Sequence, residues 1–83
     1  MFYVYILRCN DNTLYTGYTV NLDKRIQKHN RGLGAKYTRG RLPVELVYFE
    51  EVDSKSEALK REYFIKSLKR NQKLDLIRKS PYP

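Results

Sequence analysis

A continuous run of β-forming residues, from Phe2 to Arg8, begins the chain and restricts the folds it can adopt. Uninterrupted aliphatic and aromatic residues of this kind are typical of a strand that is buried on both faces. A turn-forming cluster at positions 10–13 follows, and residues 14–19 then predict a returning strand, so the first two strands form a hairpin. Whether Tyr5 and Tyr15 share a face depends on the hairpin register, since a slip of one residue would reverse it.

The next segment predicts a helix, a basic loop and a third strand. Asn21 is a suitable N-cap for a helix over 22–31, which Gly32 can close in a left-handed conformation. Residues 32–41 are predicted to form a flexible loop, and residues 43–52 a strand. Alternation along this strand places one set of side chains on one face and the other set on the opposite face: Val44, Leu46 and Tyr48 against Val47 and Phe49.

Two helices complete the predicted order. Ser54-Lys55-Ser56-Glu57 matches a capping box and starts a helix that runs to about Lys69. Asn71 is predicted to cap a second helix through about Lys79, which Pro81 ends. The order ββαβαα predicts an α/β (α+β) fold, with a three-stranded sheet flanked by helices. No repeat or linker interrupts it, so residues 1–83 are expected to form one domain.

Size and charge indicate a polymeric anion as the partner. A chain of 83 residues has too small a core to enclose a deep pocket, so an active site would be a shallow surface bowl. The net charge is +8, from 17 Lys and Arg against 9 Asp and Glu, which favours polyanions as partners. A basic ribosome-associated or merely soluble protein is the alternative.

Cysteine content and the N-terminus predict a cytoplasmic protein. The single Cys9 cannot form an internal disulfide or a zinc cluster, which fits a reducing compartment. The apolar N-terminus is short and lacks a preceding positive region and a cleavage site, so it predicts a strand and not a signal peptide. No stretch has the length of a membrane span.

Three residues on the predicted helices are candidates for a chemical role. Arg25 and His29 are four residues apart, so both project from the same side of their helix towards the sheet. Glu62 lies on a helical wheel between apolar residues that should face the sheet, namely Ala58, Leu59 and Ile65. A carboxylate there is costly unless it is ion-paired, to Lys66 or Arg25, or bound to a metal.

The residues taken in order resemble a known family. Tyr3-Val4-Tyr5, Tyr15-Thr16-Gly17, Arg25, His29 and a helix segment ending Glu62-Tyr63-Phe64-Ile65-Lys66 are similar to the GIY-YIG endonuclease superfamily. The similarity covers residues 2–73 and is strongest to its small stand-alone bacterial, UPF0213-like members. Tyr3 replaces the first glycine of the family name. The resemblance implies a nuclease that hydrolyses phosphodiester bonds in DNA.

The resemblance also implies a role for each site residue. Glu62 would hold one divalent cation, Mg²⁺ or Mn²⁺, for which a single carboxylate is enough. Tyr5 would orient or deprotonate the attacking water, and His29 would accept or relay the proton. Tyr15 would donate a hydrogen bond beside the scissile phosphate, and Arg25 would neutralise charge in the transition state. The structural residue Gly17 would permit close approach of the backbone; taken singly, each of these residues also has an ordinary packing role.

Substrate contacts are expected from two basic groups. The mixture of cations and one aromatic in Lys36, Tyr37, Arg39 and Arg41 suits phosphate contacts and base stacking, and Lys66 and Lys69 lie near Glu62. Solvated surface is the alternative for these residues.

We therefore predict a metal-dependent DNA endonuclease, selective for structure and active in DNA repair or processing, with Tyr5, Tyr15, Arg25, His29 and Glu62 converging on one concave surface. The alternatives are a non-catalytic nucleic-acid-binding module and a basic protein-binding adaptor. RNA as substrate, a protein partner and the oligomeric state stay open, as does the role of Asn71.

Overall fold

The computed structural model describes residues 1–80. Its elements, in chain order, are β1 (Phe2–Arg8), β2 (Leu14–Thr19), α1 (Leu22–Asn30), α2 (Lys36–Arg39), β3 (Glu45–Val52), α3 (Lys55–Ser67) and α4 (Arg70–Lys79). The α/β (α+β) fold with a three-stranded sheet and flanking helices is confirmed. The predicted helix stop at Pro81 lies outside the described residues. Within the described part of the chain, no helix has both the length and the apolar character needed to cross a bilayer.

The sheet has β1 at its centre, in the order β2-β1-β3, and both pairings are antiparallel. In the hairpin, Tyr5 lies opposite Gly17 and Leu7 lies opposite Tyr15. Residues that face each other across antiparallel strands share a face, as do residues two apart on one strand. The register therefore places Tyr5 and Tyr15 on the same face, with Gly17 beside them.

The two faces of the sheet bury different clusters. One face, covered by α3 and α4, has an apolar core: Val4, Ile6, Tyr48, Ala58 and Ile65. The other face is covered by α1, whose Leu22 and Ile26 pack against a second cluster: Tyr5, Leu7, Cys9 and Val44. The predicted burial of the first strand on both faces is thus confirmed, because helices lie on each side of it.

The predicted alternation along the third strand holds through Val47 and is wrong for Tyr48 and Phe49. The pairing of β1 with β3 shifts by one residue at this point, so β3 contains one extra residue. A bulge of this kind reverses the phase of the side chains that follow it. Tyr48 consequently packs on the same face as Val47, whereas Phe49 packs with Leu46 and Val44.

The helix starts follow the capping residues, with one exception. The side chain of Asn21 accepts a hydrogen bond from the backbone N–H of Lys24 at 3.1 Å, and Ser54 caps α3 in the same way. Gly32 has a φ of +77° after α1, as predicted. The predicted cap at Asn71 is wrong: α4 begins at Arg70, and the backbone N–H of Lys69 donates to Gln72 Oε1 at 2.9 Å. A glutamine three residues after the cap therefore sets this start.

The segment predicted as a flexible loop, residues 32–41, contains the short helix α2. Its turn is closed by the backbone N–H of Thr38, which donates to the carbonyl of Ala35 at 3.1 Å. The Thr38 side chain is fully buried. The sequence does not indicate this turn, because its stability comes from contacts with α1, which lies earlier in the chain.

Candidate active site

The centre of the candidate site is the phenol of Tyr5, in the middle of β1. Its side chain is 1% exposed. A Cβ atom placed on Gly17, directly across the hairpin, would lie 2.7 Å from Tyr5 Oη, which is inside contact distance. Glycine at this position thus allows the phenol to lie over the backbone of β2, in keeping with the close approach predicted for Gly17. The hairpin register is regular here, so Gly17 is not a bulge.

Two side chains of α1 meet the Tyr5 hydroxyl. Arg25 donates from Nε to Tyr5 Oη at 3.3 Å, and the hydroxyl lies 3.0 Å from His29 Nε2. Both contacts depend on the spacing of four residues, which places Arg25 and His29 on the sheet-facing side of the helix. The hydroxyl of Tyr5 is therefore held between a cation and an imidazole.

His29 is completely buried, and the segment after α1 closes over it. Its second ring nitrogen, Nδ1, lies 2.8 Å from Thr38 Oγ1, and Thr38 Oγ1 donates to the carbonyl of Ala35 at 3.0 Å. Gly34 lies against the ring, since a Cβ there would be 2.3 Å from His29 Nδ1. Sequence reasoning missed Thr38 and Gly34; the only signal for them was the second glycine of Gly32-Leu33-Gly34, in a segment assigned to a loop.

The environment of His29 keeps its imidazole neutral. Burial of the ring, and then the positive charge of Arg25, lower the pKa of His29 to about 4. At neutral pH the ring is therefore uncharged, with a hydrogen on one nitrogen and a lone pair on the other. A neutral imidazole can accept a proton, whereas an imidazolium cannot.

The phenol of Tyr5 is also neutral. Burial raises its pKa, and this outweighs the hydrogen bond and charge of Arg25, which lower it. Tyr15 and the negative charge of Glu62 raise the pKa of Tyr5 further. Arg25 by itself therefore does not produce a phenolate, and Tyr5 needs an acceptor for its own proton before it can act as a base.

Tyr15 joins the same group of side chains. Its ring centroid is 5.3 Å from that of His29 and 6.4 Å from that of Tyr5. Hydrogen bonding to Tyr5 is the main cause that raises the pKa of Arg25, and Tyr15 contributes to the same shift. The guanidinium thus remains a cation between two tyrosines. The structure brings together Tyr5, Tyr15, Arg25 and His29.

Glu62, predicted to converge with these four side chains on one concave surface, lies instead in the other layer of the molecule. It lies on α3, which packs on the opposite face of the sheet and contacts β2, yet its charge acts on the Tyr5 hydroxyl. Its side chain is 18% exposed, and its carboxylate pairs with Lys66 Nζ at 3.5 Å, the helical ion pair that the sequence offered as the alternative. Leu59, predicted to share the buried sector of the helix, is 44% exposed. The buried side of α3 is therefore narrower than predicted, and Glu62 lies at its margin.

The donor set at Glu62 fits a hard divalent cation. Such an ion keeps most of its water ligands and needs only one or two protein carboxylates when substrate oxygens fill other positions. Glu62 supplies one carboxylate, half-buried and paired at 3.5 Å with the exposed Lys66. Among residues 1–80, no three or more His, Cys, Asp or Glu side chains are clustered to hold a metal.

The basic residues of the predicted substrate surface differ in their exposure and in the contacts that they already make. Lys36 and Arg39 are exposed on α2, and Tyr37 beside them is 40% exposed, with its ring 5.9 Å from that of Tyr15. Arg41 instead lies 4.1 Å over the Tyr37 ring and donates to Asp11 at 3.0 Å. Arg41 therefore packs on one face of the Tyr37 ring and is ion-paired, a structural role that the sequence did not predict.

The second basic group lies on α3 and α4. Lys66 pairs with Glu62, and Lys69 is exposed at the start of α4. Beside Tyr37, a recess of about 190 Å³ is lined by residues from β2, its preceding turn, α2 and α4: Thr13, Leu14, Tyr37, Arg70 and Lys73. The first basic group therefore adjoins Arg70 and Lys73 of α4 at Tyr37, whereas Lys66 and Lys69 do not line this recess.

Comparison with known proteins shows which chains are related to this one. The sequence profile described as the GIY-YIG catalytic domain matches residues 1–75. The UPF0213 protein of Clostridium perfringens is 68% identical over 77 residues, which cover 93% of this chain and 83% of that protein. A UPF0213 protein of Staphylococcus saprophyticus is 61% identical over 75 residues, covering 90% of this chain and 92% of the relative.

Solved structures show the same fold. The solution NMR structure of a UPF0213 protein from Bacillus halodurans is similar with a TM-score of 0.64 and 50% identity, covering 100% of this chain and 89% of that one. A solution NMR structure of a protein from E. faecalis has a TM-score of 0.62 and 41% identity, covering 92% of this chain and 81% of that one.

Proposed function

Because the chain belongs to the GIY-YIG catalytic domain family, which supports an endonuclease-like function, we propose that it is a metal-dependent endonuclease that hydrolyses phosphodiester bonds in DNA. The observation that carries the proposal is the Tyr5 hydroxyl, held between Arg25 Nε at 3.3 Å and His29 Nε2 at 3.0 Å. A buried neutral base and a cation on one phenol are suited to moving a proton next to a phosphate.

The proposed reaction is an attack of water on phosphorus. As the water oxygen forms its bond to phosphorus, one water proton passes to Tyr5 Oη and the Tyr5 proton passes to His29 Nε2. The bond from phosphorus to the leaving oxygen breaks, and that oxygen takes a proton from solvent. The imidazolium then returns a proton to solvent through Tyr5, which restores the starting state. His29 thus makes a neutral phenol effective as a base.

Arg25 and Tyr15 act on the phosphate. The guanidinium remains protonated and neutralises charge on the phosphoryl oxygens, and the Tyr15 hydroxyl donates a hydrogen bond beside the scissile bond. Loss of one positioned donor of this kind typically costs about 10² to 10³ in rate. Both side chains are half-buried beside Tyr5, so they are held before substrate arrives.

Glu62 is the proposed ligand of one divalent cation, Mg²⁺ or Mn²⁺. When bound, the ion stabilises negative charge on the phosphate and on the leaving oxygen. Because the charge of Glu62 raises the pKa of Tyr5, neutralising this carboxylate also removes one cause that disfavours a transient phenolate.

DNA is the proposed substrate, and distorted DNA in particular. Lys36 and Arg39 are exposed on α2, next to Tyr37, and Lys69 is exposed at the start of α4. These cations suit phosphate contacts, while Tyr37 offers a ring for stacking. These groups recognise a backbone and an unpaired base and carry little sequence information. We place the activity in DNA repair or processing in the cytoplasm.

The experiment is a nicking assay on branched, flapped and single-stranded DNA, with Mg²⁺ or Mn²⁺. Tyr5→Phe and Glu62→Gln should each lower the rate by about two to three orders of magnitude. Glu62→Gln should bind DNA at least as well as the parent without metal, because it removes an anion from a positive surface. Lys55→Ala, at the exposed start of α3, is the matched control and should nick normally.

Two outcomes would change the proposal. If the parent binds these substrates but never nicks them, or if Glu62→Gln nicks as well as the parent, the chain is a non-catalytic nucleic-acid-binding module. Affinity for DNA should fall steeply as salt rises, since each phosphate contact releases counterions. A flat response to salt, or no binding at low salt, would favour the protein-binding adaptor. Cleavage of RNA alone would keep the chemistry and change the substrate.

A further inference from the structure

The proton positions around His29 can be assigned from its neighbours. The hydroxyl of Thr38 lies 3.0 Å from the carbonyl oxygen of Ala35, which can only accept and whose second lone pair remains after the Thr38 backbone N–H, so we assign the hydroxyl proton to that carbonyl. The Thr38 oxygen, 2.8 Å from His29 Nδ1, is then left as an acceptor for that nitrogen. His29 Nδ1 therefore carries the hydrogen.

The other side of the ring follows from this assignment. A neutral imidazole with a proton on Nδ1 has its lone pair on Nε2. Arg25 Nε can only donate, so Tyr5 Oη accepts from Arg25 and directs its own proton to His29 Nε2, 3.0 Å away. Each of the four hydrogens assigned in this network, on Arg25 Nε, Tyr5 Oη, His29 Nδ1 and Thr38 Oγ1, then has an acceptor.

We propose that Thr38 is a positioning residue that holds His29 in the Nδ1–H tautomer and thereby sets the direction in which Tyr5 gives up its proton. This inference rests on the proposed function for its consequence in catalysis, while the tautomer itself is a property of the resting protein. Thr38 touches no substrate group; it acts through His29.

The opposite tautomer would block the relay. With hydrogen on Nε2, His29 would donate to Tyr5 Oη, and the phenol would face two donors and no base. Tyr5 could then no longer pass on its proton as it takes one from water. Free imidazole side chains favour the Nε2–H form, so the less common tautomer requires an acceptor at Nδ1, and the Thr38 oxygen occupies that place.

The packing makes this acceptor difficult to replace. His29 and Thr38 are both 0% exposed, so bulk water does not compete for Nδ1. The backbone at Gly34 lies so close to the ring that a Cβ there would be 2.3 Å from Nδ1. Residues 34–38 therefore enclose this side of the imidazole and present one oxygen to it.

The decisive measurement is the tautomer of His29 by two-bond ¹H–¹⁵N NMR correlation on the full chain, because His29 is the only histidine. In the parent at neutral pH, Nδ1 should show the pyrrole-type shift and Nε2 the pyridine-type shift. Thr38→Val should move the population towards the Nε2–H form, and Thr38→Ser should retain the parent pattern. An Nε2–H form in the parent would overturn the proposal, even if Thr38→Val failed to fold.

Nicking assays then test the consequence. Thr38→Val should lower kcat by about 10- to 100-fold, as is usual for the partner that orients a functional histidine, with KM for DNA little changed. Thr38→Ser should restore most of the rate. Thr16→Val is the matched control, since Thr16 is also a buried threonine but lies on the α3 face of the sheet, and it should keep the parental tautomer and rate.

The two assays fail separately. If the parent shows the Nδ1–H form and Thr38→Val shifts it, but no variant nicks DNA, the proposed function is wrong while the assignment of Thr38 stands. If the parent nicks DNA and Thr38→Val retains both the Nδ1–H form and the full rate, the assignment of Thr38 is wrong while the proposed function stands.

Discussion

The two faces of the sheet each bury a tyrosine, and the surroundings of the two rings differ. On the face covered by α3, Tyr48 donates its hydroxyl proton to Glu50, whose carboxylate also accepts from Arg61 Nε at 2.5 Å and Nη2 at 3.0 Å. On the face covered by α1, the hydroxyl of Tyr5 meets Arg25 and a neutral imidazole. Burial is the main cause that raises both pKa values, that of Tyr48 to about 12.

The partners of the two hydroxyls suit Tyr48 to a structural role and Tyr5 to a catalytic one. The acceptor of Tyr48 is a carboxylate held by a guanidinium, with a pKa below its ordinary value despite burial, so it does not take the proton at neutral pH. His29, with a pKa of about 4, is also a weak base at rest. The difference lies in the cation: Arg25 donates directly to the Tyr5 oxygen, where it can stabilise a transient phenolate, whereas Arg61 donates to Glu50. A raised tyrosine pKa by itself therefore does not mark an active site; a cation that donates directly to the phenol oxygen distinguishes Tyr5 from Tyr48.

The largest difference in nicking rate is expected between variants that lack the hydroxyl of Tyr5 and variants that lack that of Tyr48. Tyr5→Phe should lower nicking by about two to three orders of magnitude. Tyr48→Phe should leave the rate within a few-fold and reduce the free energy of unfolding by about 1 kcal/mol, because one hydrogen bond is lost. Single-turnover nicking and urea denaturation of both variants check this. Equal losses of rate would mean that the two faces do not differ in the way described.

The glycines next to the site provide a second comparison. Gly34→Ala would place a Cβ 2.3 Å from His29 Nδ1 and 2.9 Å from its Cα, so the segment must move; we expect a loss of about 2 to 3 kcal/mol in stability. Gly40→Ala has no atom within 4 Å of the new Cβ, and φ is −92°, so it should be neutral or slightly stabilising. Thermal and urea unfolding distinguish them. A tolerated Gly34→Ala would show that the enclosure of His29 is loose.

His29 should make the α1 face sensitive to acid. Its pKa is about 4 in the folded chain and 6.5 ordinarily, so between these values the unfolded chain binds a proton that the native chain does not. Stability from this group is full above pH 6.5 and falls as pH drops towards 4, by about 1 to 2 kcal/mol after allowance for screening. Urea denaturation of the parent and of His29→Gln at pH 7 and 4.5 isolates the contribution of His29 to the free energy of unfolding. The variant should lose less stability on acidification than the parent.

The smallest effect is expected at Thr16, on the α3 face. Its hydroxyl is buried, and within the described residues it has no hydrogen-bond partner. Thr16→Val removes an unsatisfied polar group while keeping the shape, so it should be neutral or stabilise the fold by up to about 1 kcal/mol. Thr38→Val should destabilise, because it leaves His29 Nδ1–H without an acceptor. Denaturation midpoints for the pair measure this; a large loss in Thr16→Val would indicate that its hydroxyl is satisfied.

The sequence predicted most of the fold and most of the residues that meet at the site. Phe2 to Arg8 is a strand because its residues favour one locally, and Asn21 and Ser54 start helices because their side chains satisfy the first free N–H groups. Arg25 and His29 project together because a helix brings residues four apart onto one side. These are short-range effects, because each depends only on a few neighbouring residues.

Only the tertiary structure decided how these parts meet. The hairpin register placed Tyr5, Tyr15 and Gly17 on one face, the bulge moved Tyr48 to the other, and the return of residues 34–38 over α1 gave His29 its acceptor in Thr38. None of these arrangements follows from local preference, because each depends on a contact between two different segments of the chain, and the sequence does not show which segments meet. A buried hydrogen bond requires a partner at one distance and angle, and that partner exists only after the chain has folded.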